Sequence, residues 1–313
     1  MGKAPNVVLI GFAFFSIYVI WGSTYLLNKI AVEELPSFML ASIRFVTASV
    51  LIFILCKLLK IDISISVRRF KNTVIAGFLF LTLGNGVVVW ALKYVDSGFA
   101  ALVVAAQPLV VLILMRVLQG KKIKPMSIIG VILGIIGIYV LVSQKQIMTK
   151  ENAFFGMFLI FIAMLSWSYG SLFVGRVDLP KNYFVNTGYQ MLTGGIMLFF
   201  VSVLFGESWV SPIDWSFRVQ LAMLLLIVFG SIVAFTAFNY LLKVVSPEKV
   251  ATSTYVNPII ALFVGWYFLK EEITTQSIIA AGILLTGVFF INTNKKFVLF
   301  SRFSGRLSTK DEE

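Results

Sequence analysis

Apolar runs long enough to cross roughly 30 Å of hydrocarbon recur ten times along this chain. They lie near residues 7–27, 37–56, 73–92, 98–118, 126–143, 153–174, 184–205, 219–241, 250–269 and 276–292. Backbone inside lipid must satisfy its own N–H and C=O groups, so runs of this length fold as helices. The connections are short and leave no room for an inserted soluble domain. Hydrophobic residues make up 59 % of the chain, charged residues 13 %, and mean hydropathy is +0.96. So few polar groups cannot cover an ordinary soluble surface. The expected fold class is all-α, a polytopic membrane protein with ten transmembrane helices. The first run, Val7 to Leu27, exceeds a signal-peptide core and lacks an A-x-A site, so it counts as a span.

A net charge of +12 on 313 residues would, on a soluble protein, point to nucleic acid. Here the basic residues sit in short connections between apolar runs, so they report topology and no nucleic-acid partner is expected. Of the 26 Lys and Arg, nineteen fall on the N-terminus, the even-numbered connections and the tail. Six occupy the opposite connections, and Arg44 remains inside a span. The positive-inside rule then places both termini in the cytoplasm, in an inner or plasma membrane. The residues from 294 to 313 read as a cytoplasmic tail. Cys56 is the sole cysteine and histidine is absent, so a disulfide, a thiol cluster and imidazole chemistry are all excluded. The sequence asks for no cofactor.

The chain is a duplication. Gln107-Pro108 and Asn257-Pro258 stand 150 positions apart, and the offset also pairs Leu92-Lys93 with Leu242-Lys243 and Gly137 with Gly287. Earlier in each half an offset of 146 pairs Trp21 with Trp167, Arg44 with Gln190 and Thr47 with Thr193. The halves are residues 1–145 and 146–293. Five spans per half, an odd number, make the second half inverted relative to the first. That is the plan of secondary transporters, with the site near midplane between the repeats.

Pro108 and Pro258 each remove a donor inside an apolar run, so both helices are expected to kink with a free acceptor facing protein or a wet cavity. Beside them Gln107 and Asn257 either satisfy a local carbonyl or meet a substrate. Tyr18, Trp21, Tyr25 and Asn28 share one face of the first helix. Such a face either holds the apolar body of a metabolite or forms an interfacial belt. Trp167 and Ser171 extend it from the sixth span, where the serine can instead bond back to its own helix. Asn85, between Gly84 and Gly86, needs partners in a bundle or cavity. Trp90, with Tyr240 as its mate, closes a gate or anchors at the interface. Thr252 and Tyr255 share a face of the ninth helix and could complete a site with Asn257. Arg44 is the formal charge well inside a span, suited to a carboxylate-bearing cargo or to neighbouring carbonyls. Gly130, Gly134 and Gly137 form a ridge for close helix packing, within the bundle more often than between protomers.

Ile20-Trp21-Gly22-Ser23-Thr24-Tyr25, Leu35-Pro36 and Arg44-Phe45 together resemble the start of the drug/metabolite transporter superfamily, in its EamA-type branch. Ser97-Gly98-Phe99-Ala100-Ala101-Leu102 running into Gln107-Pro108 is similar to the end of that family's first repeat. Tyr255-Val256-Asn257-Pro258, Gly265-Trp266 and Glu271 resemble the matching part of the second. The resemblance implies two inverted five-helix EamA-like repeats and transport of small metabolites, often export of amino acids or toxic compounds.

The expected function is a secondary membrane transporter, an exporter of small amphipathic metabolites working by alternating access. The alternative is a lipid flippase or accessory membrane subunit. An intramembrane enzyme lacks its usual motifs here, such as H-E-x-x-H or G-x-S-x-G. The expected partners are a small-molecule substrate and the bilayer, with the protein a monomer or homodimer. No Asp or Glu lies mid-span. Proton coupling would therefore need a span-end carboxylate or the substrate itself, and facilitated movement down a gradient is the other course.

Overall fold

The structure, a computed structural model, describes residues 7–120, 125–144, 151–245, 250 and 253–292. In chain order the long helices begin with α1 (Val7–Val32), α2 (Ser37–Leu58), α3 (Val67–Ala91) and α4 (Ser97–Gln119). They continue with α5 (Pro125–Val142), α6 (Ala153–Val174), α7 (Tyr183–Leu204), α8 (Phe217–Leu242), α9 (Ser253–Leu269) and α10 (Thr275–Asn292). Each apolar run therefore carries a helix. Seven of them, α1 to α4 and α6 to α8, are long and apolar enough to cross a membrane.

Local chemistry sets several boundaries. The Asn182 side chain accepts from the backbone N–H groups of Phe184 (2.9 Å) and Val185 (3.3 Å) and so starts α7. Ser66 and Ser216 cap α3 and α8 in the same way. Gly120, at φ +64°, ends α4 in the left-handed conformation that glycine adopts without a steric penalty.

Two antiparallel seams hold the bundle together. Along one, α2 packs on α7, and Ser42 Oγ and Ser49 Oγ donate to the carbonyls of Gly195 and Gly188, each at 2.9 Å. The approach needs glycine: a Cβ on Gly195 would lie 2.9 Å from the Val46 nitrogen. Along the other, α5 packs on α10, and a Cβ on Gly287 would lie 2.8 Å from the Gly130 carbonyl oxygen. With little hydrophobic force between helices in lipid, close backbone approach and such hydrogen bonds are what hold them. The glycine ridge of α5 is thus used inside the molecule, Gly137 against Leu284 of α10 and Gly134 against Leu109 of α4.

The two proline helices differ from each other, and that at Pro108 departs from a simple kink. At Pro108 the helix does not kink but breaks: one segment ends at Val104 and a second starts at Gln107. Ala106 N–H turns back to the Val103 carbonyl (3.1 Å), which puts Pro108 in the first turn of the new segment, where no N–H is required. Pro258 stays inside the uninterrupted α9.

Three helices carry a π-helical stretch, at Ser16–Ile20 in α1, Phe78–Gly86 in α3 and Leu226–Val233 in α8. Such stretches misalign the backbone ladder and free carbonyls, and they gather at functional sites. Each has a carbonyl taken by a side chain of another helix. The Asn257 amide, with its nitrogen toward α1, donates to Ile17 O and Tyr18 O, each at 2.8 Å. Ser166 Oγ donates to Leu79 O (2.8 Å), and Trp21 Nε1 to Gly230 O (3.2 Å).

Candidate functional site

A cavity of about 1380 Å³ reaches into the bundle beside these three stretches. Its deep end lies between Asn28 of α1, Arg44 of α2, Val88 of α3 and Ala101 of α4. The other end reaches the α6–α7 connection, where Gly175 to Lys181 line it, with Gln119 of α4 and Leu242 of α8 nearby. Residues 33–36, 92–96, 205–216 and 270–274, which connect helices at the opposite end, take no part in its lining.

At the deep end sits Arg44, 2 % exposed. Its Nε donates to Ser231 Oγ (2.8 Å), its Nη1 to Asn28 Oδ1 (3.2 Å), and its guanidinium carbon stands 4.9 Å from the Phe45 ring centroid. These partners are all neutral. No carboxylate among the described residues comes within salt-bridge distance of it, and Nη2 makes no hydrogen bond among them. Gly230, in the π-helical stretch of α8, makes room for that nitrogen: a Cβ there would lie 3.1 Å from Nη2.

One wall is a box of five rings from four helices, Trp21, Phe80, Trp167, Phe235 and Phe238. Trp21 and Trp167, the mates in the sequence duplication, meet edge to face at 6.0 Å. Trp21 lies 5.1 Å from Phe238, and Phe80 lies 4.9 Å from Trp167. The box suits a flat apolar body, because rings in offset and edge contacts gain from electrostatics as well as from area.

Another wall is a chain of amides. Gln190 Nε2 donates to Asn186 Oδ1 (3.2 Å), Asn186 Nδ2 to Asn239 Oδ1 (3.2 Å), and Asn239 Nδ2 to Thr187 Oγ1 (2.8 Å). The chain ends on Gln190 Oε1, which is buried without a partner. Asn85 Oδ1, from the π-helical stretch of α3, is unpartnered too. Both oxygens are closed off by surrounding protein, and a buried unpaired acceptor costs about 1–3 kcal/mol.

The residues singled out from the sequence distribute as follows. Trp21, Tyr25, Arg44, Asn85, Gln107, Trp167, Ser171 and Asn257 line the cavity, as do Pro108 and Pro258. Gln107 makes no side-chain hydrogen bond among the described residues and faces the open space. Asn257 lines the cavity while its nitrogen plugs α1, and Ser171 Oγ donates back to Trp167 O (2.9 Å). Trp90 lies away from the cavity, among Phe38, Phe155 and Phe205, each at a centroid distance of 5.4 Å. Thr252 and the side chain of Tyr255 lie outside the described residues. Phe80, Phe235 and Phe238 carry no distinguishing signal in the sequence, being ordinary apolar residues in apolar runs. Asn186 and Asn239 carried a usable signal, as amides within spans.

The end opposite the mouth is held by carboxylates that cap helices across the bundle. Glu271, beyond α9, accepts from Ser97 N (2.9 Å), Ser97 Oγ (2.9 Å) and Gly98 N (3.1 Å) at the start of α4. Glu207, beyond α7, accepts from Phe38 N (3.1 Å) and Met39 N (2.8 Å) at the start of α2. Glu34 accepts from Ser216 Oγ (2.7 Å) ahead of α8, and Lys29 Nζ donates to the carbonyls of Leu92 (2.6 Å) and Val95 (3.2 Å). Carboxylates at helix N-termini and an ammonium at a C-terminus answer both the orphan backbone groups and the helix dipole.

Comparison with known proteins gives the cavity its context. Residues 9–143 and 154–293 each match the EamA-like transporter family. The chain is 34 % identical over 286 residues, 90 % of each chain, to a protein of Escherichia coli (strain K12) named "Uncharacterized inner membrane transporter YedA". It is 22 % identical over 274 residues to "Uncharacterized transporter YoaV" of Bacillus subtilis (strain 168), covering 88 % of this chain and 93 % of that one. A crystal structure of a further protein, 17 % identical, superposes with a TM-score of 0.66 over 96 % of this chain and 99 % of its own, a likeness of fold. This chain belongs to the EamA-like transporter family, within the drug/metabolite transporter superfamily, and is a multi-pass membrane transporter.

Proposed function

We propose that the protein is a secondary carrier that exports small amphipathic metabolites, of amino-acid or drug-like kind, by alternating access. It crosses the membrane ten times as two inverted five-helix repeats with both termini in the cytoplasm. The observation that carries this reading is the one-ended cavity, walled by rings and amides, with its mouth at the α6–α7 connection. The basic residues Arg176 and Lys181 of that connection fall on the side that the charge count assigns to the cytoplasm. The state seen is then the loading state of an exporter, and release requires the capped end to part. Trp21, Tyr25, Arg44, Asn85, Gln107, Trp167 and Asn257 are the contact residues, and Trp90 belongs to the closed gate. Counterflow in proteoliposomes, with a panel of soluble amphipaths and fluorescent lipids, tests it. Exchange of a soluble compound is the expected result, and lipid movement with no soluble exchange would favour a flippase.

A further inference from the structure

We infer that Asn257 and Gln107 are alternating latches of the transport cycle. Asn257 grips the π-helical stretch of α1 in the state seen, and in the opposite state Gln107 grips α6 in the same way. The inference rests on the carrier reading with inverted repeats and adds a part that moves.

The first observation is that each of the three π-helical stretches is gripped from the other half of the chain. Asn257 of α9 donates to Ile17 O and Tyr18 O of α1, Trp21 of α1 to Gly230 O of α8, and Ser166 of α6 to Leu79 O of α3. The last two are counterparts. The π-helical stretches of α3 and α8 fall at matching places in the duplication, and the gripping residues stand on α1 and α6, which are also mates. There the halves agree.

The second observation is that the halves disagree over the first grip. The mates of Ile17, Tyr18 and Asn257 are Ala163, Met164 and Gln107, and α4 packs on α6 as α9 packs on α1. Ala163, Met164 and Gln107 all line the cavity. Yet α6 runs through as an α-helix, and Gln107 makes no side-chain hydrogen bond among the described residues. The helix of Pro258 is continuous, where that of Pro108 is broken. Gly22 lets α1 approach Asn257: a Cβ there would lie 3.1 Å from the Asn257 carbonyl oxygen. Its mate is Ser168, whose buried Oγ has no partner among the described residues. The α4–α6 pair thus holds the parts of the α9–α1 pair, disengaged.

Symmetry supplies the next step. A twofold axis in the membrane plane turns a molecule open to one face into one open to the other, with the conformations of the halves exchanged. Features on which the halves agree survive that exchange, and features on which they differ move. In the opposite state Gln107 therefore donates to Ala163 O and Met164 O across a π-helical opening in α6, while Asn257 is released. The prolines permit the change, because neither supplies an N–H whose bond would resist it. In the state seen, the Gln107 amide is free to meet cargo.

Gln107→Met keeps the length of the side chain and removes the donor, and Gln107→Asn supplies the amide of the mate. Thermal unfolding of the purified full chain reads the resting state, and counterflow of labelled phenylalanine, leucine and threonine reads turnover. Gln107→Met should leave the midpoint within about 2 °C of the wild type, whereas Asn257→Leu lowers it by roughly 2–12 °C. Gln107→Met nevertheless lowers the maximal exchange rate roughly fivefold or more, and Gln107→Asn recovers most of it. With the closed-end caps intact, one latch does not outweigh them, so resting accessibility does not report the handover. Glu207→Ala/Glu271→Ala removes those caps, and in that background the costs reverse: Gln107→Met lowers the midpoint and Asn257→Leu does not. A Gln107→Met that raises the half-saturating concentration at an unchanged maximal rate makes Gln107 a cargo contact alone, which overturns the inference and leaves the carrier standing. Equal midpoint losses for Gln107→Met and Asn257→Leu in the wild-type background overturn it too. The midpoints need no cargo and decide the inference by themselves, whereas absence of exchange for every soluble compound sinks the carrier.

Discussion

The two ends of the cavity are built from different materials. At the closed end, half-buried Glu207 and Glu271 and the exposed Glu34 cap helix N-termini across the bundle, and Trp90 is wedged among three rings. At the open end the described helices are tied across the mouth by Arg69 and Asp178 (2.9 Å), whose side chains are 33 % and 48 % exposed, with Asn72 Nδ2 donating to Asp178 O. A charge-assisted bond to an orphan backbone N–H, away from water, is worth more than an ion pair that water screens. In the alternating-access cycle proposed above, the contrast puts the barrier at the closed end: parting it would undo several such bonds, whereas closing the mouth would undo few.

The largest effect is expected where the two ends are compared through duplication mates. Trp90 has three ring partners, and Tyr240, its mate near the mouth, has Tyr183 at 5.6 Å. With each ring pair worth roughly 0.5–1.5 kcal/mol, Trp90→Ala should destabilise by on the order of 3 kcal/mol and Tyr240→Ala by about 1. Thermal unfolding of the two variants in one detergent reads the difference, and equal losses would break the comparison. Next in size, Glu271→Ala or Glu207→Ala leaves backbone donors without a charged acceptor, a loss of about 1.5–3 kcal/mol each. Either change should also expose the cavity from the closed side. A Val88→Cys probe in a Cys56→Ala background should then react faster with an impermeant maleimide applied to that face. Unchanged labelling would mean that these caps serve stability alone. Asn257→Leu should cost about 1–3 kcal/mol by stranding Ile17 O and Tyr18 O, and it should slow exchange without shifting the labelling pattern at either end.

Much of this contrast was legible in the residues, and the reasons for the rest are physical. The apolar runs located the ten long helices of the described residues because the length of lipid-facing segments is set by the bilayer. Trp21, Trp167 and Gln107 stood out as polar or aromatic landmarks, and they do line the cavity. The fate of each proline was not legible, since a kink and a break differ only in how the previous turn closes. The break falls at Ala105 and Ala106, just ahead of Gln107-Pro108. The π-helical stretches were hidden for a related reason: they are held open by partners far along the chain, Asn257 for α1 and Trp21 for α8. Glu207 and Glu271 looked like connection residues, and only the bundle reveals that they cap helices from the other half.

The smallest effect is expected at the mouth. Arg69→Ala removes the ion pair with Asp178, and exposed pairs of this kind contribute roughly 0–1 kcal/mol. The unfolding midpoint should stay within about 4 °C of the wild type, scaled from about 2–4 °C per kcal/mol for chains of this order of size. Raising the salt concentration should shift the wild type as little, because the pair is already screened by water. Kinetics give the sharper reading. If the closed end sets the pace, Arg69→Ala leaves counterflow rates unchanged, whereas Glu271→Ala alters them. A large rate change from Arg69→Ala with intact caps would place the slow step at the mouth and reverse the comparison between the two ends.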